Sequence, residues 1–241
     1  TVAPLLAAHE DAVYLNAALF ERVRSLYDNR QSLGLDAESL RLLERYYTDF
    51  VRAGALLDAD KKQRLMAINS ELAELQTKFG QNVLAETNDS AVVVDDVAEL
   101  AGLSDAEIAT AAEAAKSRSL EGKYVLALQN TTTQPILKSL KNRALRQRVH
   151  EASINRAARD NEHDNRPVIA RMVQLRAEHA ELLGYETEAS FIIEDQTAKT
   201  PQAVGDMLAQ LAPAALANAK REAAEIQKII DAEGGGFQVE A

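Results

Sequence analysis

DADKKQRLMAINSELAELQTKFGQNVLAE, residues 58–86, is the stretch that decides the fold. Leu65, Ile68, Leu72, Leu75 and Phe79 recur at steps of three and four, a spacing that gathers them on one face of an α-helix. Asp58 is a suitable N-cap, because its carboxylate accepts from the unpaired amides of a first helical turn. The stripe predicts a helix from Asp58 to about Glu86, followed by a turn at Thr87-Asn88-Asp89-Ser90. Helical spacing continues upstream. Val13, Phe20, Val23, Leu26 and Tyr27 predict one helix that Gly34 ends. Leu40, Leu43, Tyr47, Phe50 and Val51 predict another that starts near Asp36 and stops at Gly54.

Downstream the texture changes. Ala91-Val92-Val93-Val94-Asp95 is short and β-branched and predicts a strand, as does Lys123-Tyr124-Val125-Leu126-Ala127-Leu128. Between them Ser104-Asp105-Ala106-Glu107 is a capping box that opens an alanine-rich helix to about Lys116. Two strands flanking one helix form a small β appendage, parallel if the helix is a crossover. Helices return after Pro135, with Leu140, Leu145, Val149 and Ile154 placed on one face. Asp160 to Arg166 is a polar loop, and Pro167 suits the first turn of the next helix, which runs to Gly184. Thr200-Pro201 starts the last long helix, Pro213 is expected to bend it, and Gly234-Gly235-Gly236 ends it. The expected fold is mainly α: one helical module over residues 1–241. It has antiparallel helices over 1–90, a β-α-β insert over 91–133 and helices over 134–241.

Composition agrees. Among 241 residues there are 43 alanines against 10 glycines and 5 prolines, which favours helix. With no cysteine the chain has no disulfide, thiolate metal site or cysteine nucleophile. Lys plus Arg number 27 against 37 Asp plus Glu, a net charge of −10 that argues against a nucleic-acid partner. No run approaches the ~18 uncharged apolar residues of a membrane span, so no membrane partner is expected. The sequence opens at Thr1 without Met, which fits a processed chain or one cut from something longer.

Candidate chemistry is sparse. A helical zinc-peptidase site needs His-Glu-x-x-His, so that two imidazoles one turn apart reach one ion. His9-Glu10 is followed by Val13 where the second histidine belongs, and His150-Glu151 by Ile154. His163 lies in the polar loop, and His179 and Glu181 point to different sides of a helix. All four read as surface or packing histidines. Arg143, Arg146, Arg148, Arg156 and Arg159 form a basic cluster, read as a solvated helix face because Glu151 and Asp160 are interspersed. No phosphate loop or nucleophile elbow occurs. No catalytic, cofactor or metal-binding residue is assigned from these patterns.

Several passages carry a resemblance. They are His9-Glu10-Asp11-Ala12-Val13-Tyr14-Leu15-Asn16, Ile68-Asn69-Ser70-Glu71-Leu72, Phe79-Gly80-Gln81-Asn82-Val83-Leu84, Leu128-Gln129-Asn130-Thr131-Thr132, Leu140-Lys141-Asn142-Arg143, Leu182-Leu183-Gly184-Tyr185, and the run from Glu194 to Pro201. In order and over nearly the whole chain they resemble the N-terminal half of zinc oligopeptidases of the thimet oligopeptidase and neurolysin family. The peptidyl-dipeptidase branch of bacteria is the nearest in pattern. The resemblance implies a mostly helical enzyme of two halves enclosing a channel for short peptides, from whose free C-termini dipeptides are removed. It implies zinc in the full-length enzyme, held by a His-Glu-x-x-His helix beyond the equivalent of Ala241, and none in this chain. The expected role is a non-catalytic channel-wall fragment whose partners are peptides and the missing catalytic half. The Asn130–Thr133 loop and charged helices would line the channel. An autonomous helical binding or scaffold module is the alternative. The compartment expected is the cytoplasm, with the periplasm second.

Overall fold

The computed structural model describes residues 2–129 and 133–240. They fall into two units, residues 1–176 and 177–241. The described residues are mainly α, with one two-stranded antiparallel sheet.

The first unit opens with α1 (Ala3–Tyr14), α2 (Ala17–Asp28) and α3 (Ala37–Arg52). The single stripe expected from Val13 to Tyr27 is therefore broken into two helices. Asn16 makes the break: it is extended, and its side chain accepts from the Leu19 amide at 2.9 Å. Asp36 caps α3 as expected, accepting from Ser39 at 2.9 Å. Phe20 and Phe50 are buried where α2 and α3 meet, with Tyr14 tilted 5.1 Å from Phe50. Tyr27 and Tyr47 stack at 3.8 Å, and the Arg30 guanidinium lies over Tyr27.

α4 (Ala59–Asp89) begins on its Asp58 cap, which accepts from Lys61 at 2.9 Å. Leu65 and Ile68 are fully buried, and α1 packs along this helix. The helix continues three residues past its expected end at Glu86, into the expected turn. Thr87 and Asn88 donate their side chains back to the carbonyls of Val83 and Leu84, so groups that usually favour turns are satisfied inside the helix. The apolar stripe also ends early. Phe79 is exposed, whereas Asn82 and Glu86 are buried.

β1 (Val92–Val94) and β2 (Tyr124–Leu126) pair antiparallel, with Val93 opposite Val125. The condition for a parallel pair, a crossover helix, is not met. The helix between them, α5 (Asp105–Lys116), packs against β2 rather than crossing over, and a turn at Gly122 (φ 83°) sends the chain back. The Ser104–Glu107 capping box forms. α6 (Arg143–Ile154) closes the core over Val92, Val94, Leu100, Leu126 and Leu140 with Leu145 and Val149. Ile154 does not join them and is 64% exposed. It lies nine residues beyond Leu145, which at about 100° per residue is half a turn out of phase.

α7 (Arg166–Leu182) begins in the first unit and ends in the second, which continues with α8 (Glu188–Glu194) and α9 (Pro201–Ala232). Thr200 caps α9 by accepting from Ala203 at 3.2 Å, and Pro213 lies inside the helix. No residue of α9 is buried, and Met207, Leu208, Leu211, Leu216, Ile226 and Ile229 are all exposed. The tail folds back onto it: Gln227 donates to the Phe237 carbonyl at 3.0 Å and accepts from the Val239 amide at 2.7 Å.

Candidate functional site

The polar groups of the first unit converge where the C-terminal turn of α4 meets α6 and the loop that follows it. Glu86 is the centre, with its side chain wholly buried. Ser90, one turn along, donates to it at 2.6 Å, Asn161 donates at 2.8 Å, and Arg159 Nε lies at 2.9 Å. One turn before Glu86, Asn82 donates to Asn165 at 2.9 Å, and Asn165 donates to the Phe79 carbonyl at 3.1 Å. Farther up α4, Glu71 accepts both arms of Arg171 at 2.6 and 2.8 Å. α4 thus presents a polar edge of Glu71, Asn82 and Glu86 to α7 and the preceding loop. Burial of Asn82, Asn165 and Glu86 is tolerable because each has partners.

Glu86 has an electrostatic signature. Burial is the largest influence and pushes its carboxyl upward. The hydrogen bonds from Ser90 and Asn161, with the charges of Arg159 and His163, together outweigh it and hold the group below its ordinary 4.5. An acid with a depressed folded value contributes stability that is complete above the unfolded value and is lost as pH falls through the folded one. Unfolding of the chain in urea should therefore show a loss of stability below about pH 4.5 that is smaller in Glu86→Gln, in which Asp36, Asp95, Glu107 and Asp164 keep their own depressed values. Parallel pH profiles for the two proteins would contradict that assignment. Asp11 behaves oppositely: burial raises its carboxyl against a 2.7 Å hydrogen bond from Asn69, beside a cavity of about 440 Å³ between α1 and α4.

The basic cluster is exposed at Arg143, Arg148 and Arg159, and several of its guanidiniums also reach backbone carbonyls. Arg146 donates to the Leu140 carbonyl at 2.8 Å, Arg148 to Val93 at 2.7 Å and Arg156 to Gln129 at 2.8 Å. Arg159 reaches both Glu86 and the Ala152 carbonyl. These arginines tie elements together.

Gln134 does related work. It is buried, and its side-chain amide accepts from the Gln129 amide at 2.8 Å and donates to the Gln129 carbonyl at 2.9 Å and Ser153 at 3.0 Å. The loop expected to line a channel, Asn130–Thr133, lies outside the described residues except for Thr133.

The histidines stand apart from one another chemically. His9 is exposed on α1. His163 Nε2 is 3.1 Å from Asp89, and His179 Nδ1 is 3.0 Å from Glu188 with its ring edge-on to Phe191. Among the described residues no three His, Cys, Asp or Glu side chains converge as metal ligands. No helix among the described residues is long and apolar enough to cross a membrane.

Sequence reasoning missed Glu86, Asn82, Asn165 and Gln134. For the first two a signal existed: polar residues standing at the next positions of the α4 stripe, with Ser90 one turn after Glu86. Asn165 and Gln134 lie in loops, where no periodicity marks burial.

Comparison of the sequence with known proteins finds relatives among peptidases. The family described as Peptidase family M3 matches residues 136–241. Dipeptidyl carboxypeptidase of Escherichia coli (strain K12) is 43% identical over 98% of this chain and 34% of its own length. The protein of the same name from Salmonella typhimurium is 43% identical over 98% of this chain and 35% of its own. Oligopeptidase A of Escherichia coli is 31% identical over 96% of this chain and 35% of its own. The chain spans about a third of the length of these relatives, the N-terminal third of dipeptidyl carboxypeptidase. The resemblance read from the sequence is borne out.

Proposed function

We infer that this chain is a member of peptidase family M3 and propose that it forms the non-catalytic, N-terminal wall of a peptidyl-dipeptidase. The observation that carries the proposal is coverage: almost all of the chain aligns with about a third of a dipeptidyl carboxypeptidase. The described residues give this reading physical support on two counts. Their histidines stand on separate elements, with His163 beside Asp89 and Glu162 and His179 beside Glu188. α9 carries large apolar side chains along its length with none buried, a surface whose burial against a further part of the enzyme would be favourable.

In the intact enzyme zinc would be supplied by residues outside this sequence, and the substrates would be short peptides with free C-termini. This chain would contribute shape and surface to the peptide channel. The test is an assay of the chain alone with added zinc and a C-terminally unblocked peptide. No dipeptide release above the zinc-only control is expected. Zinc-dependent release that a chelator abolishes would overturn the proposal.

A further inference from the structure

The cavity of about 440 Å³ between α1 and α4 has a volume in the range of ligand sites. Leu6 and Ala7 of α1 and Leu72 and Ala73 of α4 make its walls apolar. Its polar groups are Glu10 and Asp11 from α1 and Asn69 and Gln76 from α4. Both charges on it are negative. No lysine, arginine or histidine is among the described residues that line it.

Asp11 is the informative group. It is only 8% exposed, yet one of its two oxygens alone has a partner: Oδ1 accepts from the Asn69 side-chain amide at 2.7 Å. Oδ2 has no hydrogen bond or ion pair among the described residues. Glu10, the next residue, is exposed and has no cationic partner among them either. A buried carboxylate is costly unless it is paired. Burial, and to a smaller extent the Glu10 charge, push the Asp11 carboxyl upward against the Asn69 hydrogen bond. A cation beside Oδ2 relieves both.

The same geometry selects among cations. The planar fork of a guanidinium is matched by two free carboxylate oxygens, and here one is already taken. A divalent metal needs about six oxygens, and no three His, Cys, Asp or Glu side chains converge among the described residues. An ammonium is a compact point charge that one oxygen can hold, and a stem of about four carbons, as in lysine, suits the apolar walls. We propose that the cavity between α1 and α4 binds a primary alkylammonium ion, its head on Asp11 Oδ2 and its stem among Leu6, Ala7, Leu72 and Ala73. Glu10 adds negative charge at the mouth. The inference stands on this cavity alone and not on the peptidase reading, so the release assay and the experiment below fail or succeed separately.

The experiment titrates the 241-residue chain with butylamine at neutral pH and constant ionic strength, followed by backbone amide NMR shifts. Saturable shifts are expected at residues 3–11 and 69–76. A second arm uses Nα-acetyl-lysine N-methylamide: tighter binding of that probe assigns the ammonium to a protein's lysine, and tighter binding of butylamine to a free amine. Butanol keeps the stem without the charge and should bind at least about ten-fold more weakly, the loss of one charge-assisted contact. Butylguanidinium should also bind more weakly than butylamine. Asp11→Asn should weaken butylamine by about ten-fold and leave butanol nearly unchanged. If Asp11→Asn fails to fold, butanol on the unsubstituted chain carries the test, with Glu10→Gln, which should weaken butylamine about two-fold. No saturable shift, shifts confined to other segments, equal affinity for butanol or butylguanidinium, or the same shifts from sodium chloride would each overturn the proposal.

Discussion

Gly102→Ala should destabilise the first unit by about 3–5 kcal/mol, from left-handed backbone strain together with a backbone clash and a lost hydrogen bond. Gly102 has φ +102°, a conformation that L side chains rarely adopt. A Cβ placed there would stand 2.1 Å from the Ser139 carbonyl oxygen and 3.1 Å from its carbon. The obstacle is main chain, so no side-chain rotation relieves it. Relief requires the segment before α5 and the one before α6 to part. They are joined by the Lys141 amide donating to the Ala101 carbonyl at 2.9 Å, flanked by Leu100 and Leu140, which are almost fully buried. A loss of this size is a large part of the ~5–15 kcal/mol that holds a typical domain folded. Urea unfolding followed by circular dichroism measures it. A change within about 0.5 kcal/mol, the ordinary surface range, would show that the two segments do not bear on each other as the structure has them.

Leu145→Ala is the second large effect, at about 2–5 kcal/mol for a fully buried leucine. Leu145 is 0% exposed and packs among Val92, Val94, Leu126, Leu140 and Val149, joining α6 to the sheet and to the turn before it. Truncation leaves a cavity walled on several sides by backbone-anchored elements, so little collapse is available to offset the loss. Ile154→Ala on the same helix is the internal control. Its side chain is 64% exposed, and the change should stay within about 0.5 kcal/mol. Equal losses at the two positions would contradict the assigned face of α6.

That pair also marks where reading the sequence ran short. Leu145 and Ile154 are both aliphatic, and the step of nine between them passes for helical spacing unless the phase is followed. Caps, in contrast, were plain. Asp36, Asp58, Ser104 and Thr200 act locally, within three residues, and each forms the hydrogen bond its sequence implies. Asn16 is the same device, overlooked because apolar residues continue through it.

The strand direction was not legible, since three-residue strands say nothing of how α5 returns the chain. The polar ties were the hardest to foresee. Arg159 meets Glu86 from 73 residues away and Arg171 meets Glu71 across 100. No local pattern distinguishes such an arginine from one on a solvated face. The family resemblance was legible because it rests on ordered passages along the whole chain rather than on any single contact.

A wall that takes no part in catalysis, as proposed, should still be needed for activity of the whole enzyme. A chimera tests it most directly: this chain replaces the matched N-terminal third of Escherichia coli dipeptidyl carboxypeptidase, to which it is 43% identical over 98% of its length. Dipeptide release from a C-terminally unblocked peptide is then measured beside the remaining two-thirds of that enzyme alone. Zinc-dependent release is expected from the chimera and none from the remainder. A chimera that folds and retains zinc yet releases no dipeptide would contradict it.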